Sequence, residues 1–256
     1  MIQACRARLQ AVAGPLSNPG LLLARYLRTT DDQGAGKRTL FDQARSAQKH
    51  ARDLYRLAYR RWEEDSAGAS AMILSVRGRL VIGLGAESAL ETGLTLHHTY
   101  GVPVLPGSAL KGLAAHYCDR VWGQQDPAFR RDSGPHYHEL FGATDDSGHI
   151  TFHDAWITPE SLIAPNQGLV LDVMTPHHGL YYMAGPDDNA APTDFDDPNP
   201  VSFLSVAGAF RVAVSCDVPG EVGDKWARLA LKLLTEALGS WGIGGKTNAG
   251  YGRLRA

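Results

Sequence analysis

The 256-residue chain contains few cysteines and no long apolar run. Its three cysteines, Cys5, Cys118 and Cys216, are odd in number and far apart, so the sequence offers neither a disulfide framework nor a Cys-x-x-Cys zinc site. No stretch of about 18 apolar residues is present to span a membrane, and residues 1–10 carry arginines in place of the apolar core of a signal peptide. We therefore expect a globular cytoplasmic protein without a membrane partner.

Two common catalytic motifs are also missing. Ten histidines are present, but no predicted helix carries a His-x-x-x-His pair with a glutamate between its histidines. Gly245-Lys246-Thr247 matches the end of a Walker phosphate loop, yet Ser240 stands where that motif requires glycine. A helix is predicted before this loop, where a Walker motif needs a strand. We expect no metal and no nucleotide cofactor.

Charge is distributed unevenly along the chain. Residues 1–62 carry 12 Lys and Arg against 4 Asp and Glu, whereas the remaining residues carry 13 against 23. The N-terminal part is therefore predicted to face a polyanion, and the acidic remainder to face protein. A helix is predicted from Thr39 to about Trp62, and one of its faces repeats a cation every three or four residues, at Arg45, Lys49, Arg52, Arg56 and Arg60. A solvated helical face without a partner is the alternative interpretation.

A glycine-rich loop lies near the end of the chain, between a predicted helix at residues 222–238 and a predicted terminal strand. Glycines surround a Lys-Thr-Asn triplet at positions Gly242, Gly244, Gly245, Gly250 and Gly252. Glycine allows left-handed turns and a close approach to the main-chain N–H groups. Lys246 adds a charge, and Thr247 and Asn248 add neutral donors, so the loop is predicted to bind phosphates. A simple turn between helix and strand is the alternative.

Tyr251 lies between two glycines of this loop, and Arg253 follows it. The tyrosine is either a platform on which an unpaired base stacks or a residue that fills the buried face of the last strand. A second candidate phosphate site begins at Pro106-Gly107. We predict that Ser108 caps the following helix, and Lys111 in its first turn is better explained by a bound phosphate than by helix-dipole energetics, which favour anions there.

Strands are predicted at residues 72–84, 168–174 and 201–215, among others. Together with the predicted helices they suggest an α+β fold. Without insertions, the order strand, helix, strands, helix, strand is that of a ferredoxin-like βαββαβ unit. We expect residues 1–70 to form a basic helical N-terminal extension and residues 71–256 to form the main domain. An irregular acidic insertion is expected near residues 183–202, which contain five aspartates and no Lys or Arg.

Three groups of segments carry a further signal. They are TGLTLH (92–97) with YGVPVLPGSALKG (100–112), LDVMTPHHGLYY (171–182) with DPNP (197–200), and GIGGKTNAGYGR (242–253). Together they resemble the RAMP superfamily of CRISPR proteins over residues 72–256. The middle group is the more specific one and resembles the subunit type found at the 3′ end of the guide RNA (crRNA) in type III-B Cmr effector complexes.

This resemblance implies a modified ferredoxin-like, or RRM-like, RAMP fold with insertions and a non-catalytic RNA-binding role in antiviral defence. The implied partners are the crRNA, other RAMP subunits, the small subunit of the Cmr complex and, indirectly, target RNA. The residues expected to contact RNA are Gly107, Ser108, Lys111, Gly244, Gly245, Lys246, Thr247, Asn248, Tyr251 and Arg253, together with Arg45, Lys49, Arg52 and Arg56 of the basic helix.

A catalytic alternative rests on two adjacent histidines. Some CRISPR RAMP proteins process precursor RNA with a histidine that acts as general acid or base. His97 and His98 precede the Pro-Gly-Ser helix start and are the candidates for such an endoribonuclease. The middle group of segments favours the non-catalytic subunit type.

Overall fold

The computed structural model describes residues 18–27, 35–175, 178–185, 191–196 and 198–256. Some residues named above lie outside these ranges. They are Cys5 and the rest of residues 1–17, His177 of the middle group, and Asp187, Asp188 and Asp197 of the acidic insertion.

The described chain contains six separate helices and eight strands. The helices are α1 (Pro19–Arg25), α2 (Ala35–Asp65), α3 (Gly107–Tyr117), α4 (Pro135–Phe141), α5 (Gly179–Met183) and α6 (Glu221–Ser240). The strands are β1 (Ser70–Val76), β2 (Val104–Leu105), β3 (Ile150–Phe152), β4 (Ala155–Ile157), β5 (Gly168–Met174), β6 (Val201–Ala207), β7 (Ala209–Cys216) and β8 (Leu254–Arg255). Short turns extend α3 through Cys118–Trp122 and Gly123–Gln125, and 3-10 turns lie at Pro127–Phe129, Pro159–Leu162 and Thr247–Ala249.

The main sheet is antiparallel throughout. Its strand order is β2-β4-β7-β1-β8, and β3 also pairs with β7. The elements β1, α3, β3 with β4, β7, α6 and β8 reproduce the βαββαβ order, and β4-β7-β1-β8 is the strand order of a ferredoxin-like unit, so the predicted α+β class is confirmed. Strands β5 and β6 form a separate two-stranded sheet, called the ribbon below, inserted between β4 and β7.

Helices α3 and α6 cover one face of the main sheet. Alternating strand residues point toward them, and Leu74, Phe210 and Val212 are fully buried. On α6, small and aliphatic residues recur at helical spacing on the buried face, including Ala230, Leu234 and Ala237. The core of the molecule therefore lies between this helical layer and the sheet.

Helix α2 covers part of the opposite face of the sheet, on the side of β4. The Tyr55 hydroxyl donates to the Ile157 carbonyl at 2.6 Å, and the rings of Trp62 and Trp156 stack with centroids 5.5 Å apart and an interplanar angle of 5°. The Arg211 guanidinium lies 5.5 Å from the Trp62 ring centroid. An RRM uses this sheet face to stack bases. Here α2 covers its β4 side, while Ile73 and Ser75 of β1 are exposed on the same face.

Several predicted boundaries shift in the structure. The first strand ends at Val76 and not at residue 84, because Gly78 takes a left-handed conformation (φ 85°) and the chain turns there. Gly208 (φ 133°) likewise separates β6 from β7, which the sequence suggested as one strand. In α2 the buried face continues through Tyr55 and Tyr59, while Leu54 is 65 % exposed.

Within the described ranges, no helix is both long and apolar enough to cross a membrane.

Candidate nucleic-acid interface

The glycine loop joins α6 to β8, and backbone hydrogen bonds on both sides of its Lys-Thr-Asn triplet tie it to the segment that follows β1. The amides of Gly245 and Gly252 donate to the carbonyls of Val81 (2.8 Å) and Arg79 (2.7 Å). Gly244 (φ 86°) and Gly252 (φ 76°) are left-handed, and a Cβ at either position would overlap a backbone carbonyl. These two glycines are therefore required by packing, whatever else the loop binds.

The Lys-Thr-Asn triplet forms the outer part of this loop. Lys246 has φ 59° and ψ 31°, a left-handed conformation that is rare for lysine, and a single 3-10 turn follows at Thr247–Ala249. In the described structure, the amides of Lys246, Thr247 and Asn248 donate to no other group. A left-handed residue followed by right-handed ones turns successive N–H groups toward one point, an arrangement that binds anions. The exposed side chain of Lys246 adds a positive charge beside it.

Tyr251 is half-buried and tied to the ribbon. Its hydroxyl donates to Asp172 Oδ2 at 2.7 Å, and its ring lies 6.3 Å from the Phe203 ring. Burial and the neighbouring Asp172 carboxylate raise the pKa of Tyr251 to about 12. The tyrosine thus anchors the loop to the ribbon, and base stacking on it stays a prediction. Arg253, two residues on, is exposed.

The start of α3 differs from the prediction. The N-cap is Pro106, which offers no side-chain hydrogen bond, so the prediction that Ser108 caps the helix was wrong; Ser108 is an exposed residue of the first turn. The amide of Gly107 instead donates to Asp154 Oδ1 at 2.7 Å. A carboxylate thus already holds this amide. Lys111 is half-buried and forms no ion pair with any described residue.

Lys111 and the glycine loop lie toward the same end of the molecule. Helices α3 and α6 run antiparallel, because Tyr117 contacts Trp241 just after α6 (ring centroids 5.1 Å apart), whereas Trp122 donates to Glu236 earlier in α6. The residues before Tyr117 therefore extend past the end of α6, where the glycine loop begins. Lys111 is six residues before Tyr117, about 9 Å along the helix axis.

The basic face of α2 is not part of this surface. Lys49 and Arg56 are exposed, whereas Arg45 and Arg52 are half-buried and pair with Asp42 (3.0 Å) and Asp53 (3.7 Å), respectively. Helix α2 packs on the ribbon face of Ser202, opposite the face of Asp172 and Phe203 that Tyr251 contacts. The structure therefore places Lys111 toward the same end of the molecule as the loop and leaves α2 apart from both.

His97 and His98 differ in environment. The His97 ring packs against Tyr100 (4.8 Å) and Trp156 (4.9 Å), and burial lowers the pKa of His97, so the ring is neutral near pH 7. His98 is exposed. Both line a groove of about 650 Å³ between α1 and the segment before β2.

The other described histidines that have polar side-chain partners include His149 and His153. His149 Nδ1 lies 2.7 Å from Asp217 Oδ1, with Glu139 at 3.6 Å from Nε2. His153 Nε2 lies 2.8 Å from Ser215 Oγ. In the described part of the chain, no three His, Cys, Asp or Glu residues lie close enough to share a metal ion.

Two carboxylates that hold these segments in place were not predicted from the sequence. Asp154 holds the start of α3, and Asp172 holds the glycine loop through Tyr251. The contact between Gly107 and Asp154 joins residues 47 positions apart, and the contact between Tyr251 and Asp172 joins residues 79 positions apart. No local sequence pattern marks either aspartate.

Comparison with known proteins identifies the family. A model described as the RAMP superfamily matches residues 73–255, most of the chain. The chain belongs to the RAMP superfamily. The RAMP family membership predicted from the sequence is thereby confirmed. The chain also resembles individual members of that superfamily.

Two curated relatives are Cmr6 proteins. One, "CRISPR system Cmr subunit Cmr6" from Pyrococcus furiosus, is 30% identical over 255 residues, covering 80% of this chain and 73% of the relative. The Cmr6 subunit of Saccharolobus solfataricus is 24% identical over 188 residues, covering 70% of this chain and 54% of the relative.

One solved structure supports the fold. A cryo-EM structure of the type III-B Cmr-beta bound to cognate target RNA contains a chain that matches with a TM-score of 0.55 and 19% identity, covering 88% of this chain and 76% of that chain. This similarity supports the RAMP fold. The crystal structure of Cmr6 from Pyrococcus furiosus matches with a TM-score of 0.45 and 31% identity, over 73% of this chain and 96% of that chain.

Proposed function

We propose that this RAMP protein is the Cmr6-type subunit of a type III-B Cmr effector complex and that its glycine loop binds the 3′ part of the crRNA. The observation that carries the RNA site is the outer loop, where Lys246 stands beside three unpaired amides and Lys111 lies toward the same end of the molecule. Family membership and the 30% identity to a Cmr6 protein support the assignment to the complex.

The contacts of this surface are with phosphates. Backbone amides and lysines recognise phosphate oxygens, which every RNA presents at regular intervals, and these contacts position a strand without reading its bases. The role proposed is therefore that of a guide-holding subunit in antiviral defence, located in the cytoplasm. Other RAMP subunits and the small subunit of the complex are its proposed neighbours, and target RNA is reached indirectly.

The same proposal assigns no catalysis to the chain. His98 is exposed, and His97 is held in an aromatic cluster; its buried Nδ1 lacks a hydrogen-bond partner. General acid–base cleavage of RNA needs two groups placed on either side of the reacting phosphate. Specific cleavage of crRNA by the purified chain, lost in a His97→Ala variant, would replace this proposal with the endoribonuclease alternative.

The RNA site is tested by binding across a salt series. In the variant Lys111→Ala/Lys246→Gly, glycine at position 246 removes the charge and keeps the left-handed backbone. For single-stranded RNA the slope of log affinity against log salt should become shallower by about 1.4, since each lost phosphate contact contributes about 0.7.

The matched control removes two lysines elsewhere. Lys225 and Lys232 are exposed on α6 and pair with Glu221 and Glu236. Lys225→Ala/Lys232→Ala should leave the slope unchanged. Equal slopes for the two double variants would exclude the glycine loop and Lys111 as the RNA site.

A further inference from the structure

The basic stripe of α2 is a second cationic surface. It consists of Arg45, Lys49, Arg52, Arg56 and Arg60. The side chains of Lys49, Arg56 and Arg60 are exposed, and none of the three lies within ion-pair distance of a carboxylate in the described ranges. Unlike Lys225 and Lys232 of α6, these three cations pair with no carboxylate among the described residues.

The ribbon separates this stripe from the glycine loop. Asp172 and Phe203 are cross-strand partners on one face of the ribbon, and both contact Tyr251 of the loop. Residues on the opposite face, including Leu204, belong to the core with Phe41 of α2. The loop and α2 therefore pack on opposite faces of the ribbon.

The acidic residues nearest to the stripe form no ion pair with its three exposed cations in the described part of the chain. At 100° per residue, Asp53 lies about 40° and Glu64 about 60° from the line through Lys49, Arg56 and Arg60, but Asp53 pairs with Arg52 instead. From Lys49 to Arg60 the stripe extends about 16 Å along the helix axis. Like charges at this spacing repel one another, so the arrangement is favoured where a polyanion lies along it.

Packing does not explain the stripe either. The side chains that hold α2 in the core lie on another face of the helix and include Ala44, Ala51 and Tyr55. At the N-terminal end of the stripe, Arg38 on the same face donates from Nε to Ser202 Oγ at 3.3 Å, so the stripe runs up to the edge of the ribbon. Arg45 Nε is buried without a hydrogen-bond partner although its Nη1 pairs with Asp42.

We propose that the basic stripe of α2 is a second RNA-binding surface, which holds the phosphate backbone of an RNA segment independently of the glycine loop. The inference rests on the proposed function for the choice of RNA as the polyanion. The segment comes either from the guide strand or from a complementary strand paired to it, because both present the same phosphates.

The test compares two triple variants of the full chain. Lys49→Gln/Arg56→Gln/Arg60→Gln removes three stripe charges. Arg61→Gln/Arg130→Gln/Arg228→Gln removes three other exposed charges and serves as the control, with Arg61 on the same helix but a different face. Affinity is measured from 50 to 200 mM salt with a 24-nucleotide single strand and with the same strand paired to its complement.

If the guide occupies the stripe, the slope of log affinity against log salt for the single strand should be shallower by about 2 in the stripe variant than in the wild type. Three phosphate contacts are then lost, and each contributes about 0.7 to the slope. Raising the salt from 50 to 200 mM then weakens RNA binding by the stripe variant roughly 20-fold less than RNA binding by the wild type. If the stripe takes the complementary strand, the flattening appears with the duplex only. The control triple should change neither slope.

Identical slopes for the stripe and control variants with both RNAs would overturn the proposal. If the stripe variant keeps its RNA slopes but loses binding to other subunits of a reconstituted complex, the stripe binds an acidic protein surface, which also overturns it. The loop variant Lys111→Ala/Lys246→Gly is measured in the same series. Because distant sites act additively, failure of the loop and failure of the stripe are seen separately.

Discussion

At the scale of single residues, the hydroxyl of Tyr251 connects the glycine loop to the ribbon. We predict that Tyr251→Phe lowers the free energy of unfolding by about 1 kcal/mol, because the hydrogen bond to Asp172 is lost while the ring is kept. For a chain of this length the melting temperature should fall by about 2–4 °C. Thermal unfolding followed by circular dichroism measures this.

The control for this prediction is Asp172→Asn, which keeps an oxygen acceptor for the tyrosine hydroxyl. It should be less destabilising than Tyr251→Phe. RNA affinity separates the two roles of the ring: if a base stacks on it, Phe preserves affinity and Ala at position 251 reduces it. A Phe variant as stable as the wild type contradicts the anchoring role.

Residue roles of this kind were only partly predictable. The glycines, Lys246 and Lys111 could be named from the sequence because phosphate-binding loops have a recognisable composition. The strained φ of Lys246 and the partnership of Tyr251 with Asp172 depend on the ribbon, which folds back from elsewhere in the chain.

At the scale of elements, the start of α3 contains two glycines with opposite requirements. A Cβ at Gly107 would overlap the Phe152 carbonyl, whereas a Cβ at Gly112 meets nothing within 4 Å. Gly107→Ala should therefore lower the free energy of unfolding by about 1–3 kcal/mol through overpacking. Gly112→Ala should raise it by about 0.5–1 kcal/mol, because alanine is the better helix former.

Urea unfolding of both alanine variants provides the measurement. The pair is matched in chemistry, since each adds one methyl group to the same helix. Equal stabilities would mean that Gly107 has room for a side chain and that its place in the Pro-Gly-Ser start has another cause.

His149 links α4 to the strands β3 and β7 and gives stability a pH dependence. The hydrogen bond to Asp217 raises the pKa of His149 in the folded protein. Its stabilisation is therefore complete below the ordinary value of 6.5 and is lost as the pH rises through the raised pKa. We predict that wild type loses more stability than His149→Gln between pH 6 and pH 8.

Buried histidines act in the other direction. Burial lowers the pKa of His97 and of His153, so their contribution is lost as the pH falls. The difference between wild type and His149→Gln removes this background because both proteins contain His97 and His153. Parallel stability curves for the two proteins contradict the role of His149.

Elements with strong local patterns were predicted well, and those set by tertiary contacts were not. The strand at Gly168–Met174 appears with the predicted bounds. In α2 the more apolar residue, Leu54, is exposed, whereas Tyr55 is buried because its hydroxyl finds a carbonyl partner in the core. Its hydroxyl could not be placed without β4.

At the scale of the whole molecule, α2 and the sheet share one core. Tyr55, Phe41 and Leu74 belong to the same cluster of buried residues. Tyr55→Ala should therefore destabilise the entire chain by about 3–5 kcal/mol, with a single unfolding transition. Circular dichroism and tryptophan fluorescence should report the same midpoint.

The adjacent substitution Leu54→Ala serves as control. Leu54 is 65 % exposed, so its loss should change stability by no more than about 0.5 kcal/mol. Two separate transitions in Tyr55→Ala would mean that α2 and the remainder unfold as independent units.

The outer face of the sheet has a consequence for the range of guides. Trp62 and Trp156 stack on each other over its β4 side. The residues that β1 and β7 present on this face include no aromatic ring on which a base could stack as in an RRM; they are Ala71, Ile73, Ser75, Ala209, Arg211 and Ala213. Under the proposed function, contact with RNA is then expected at loops and helix faces that meet its sugar-phosphate chain. One subunit can then hold guide RNAs of any sequence, because its contacts do not depend on the bases.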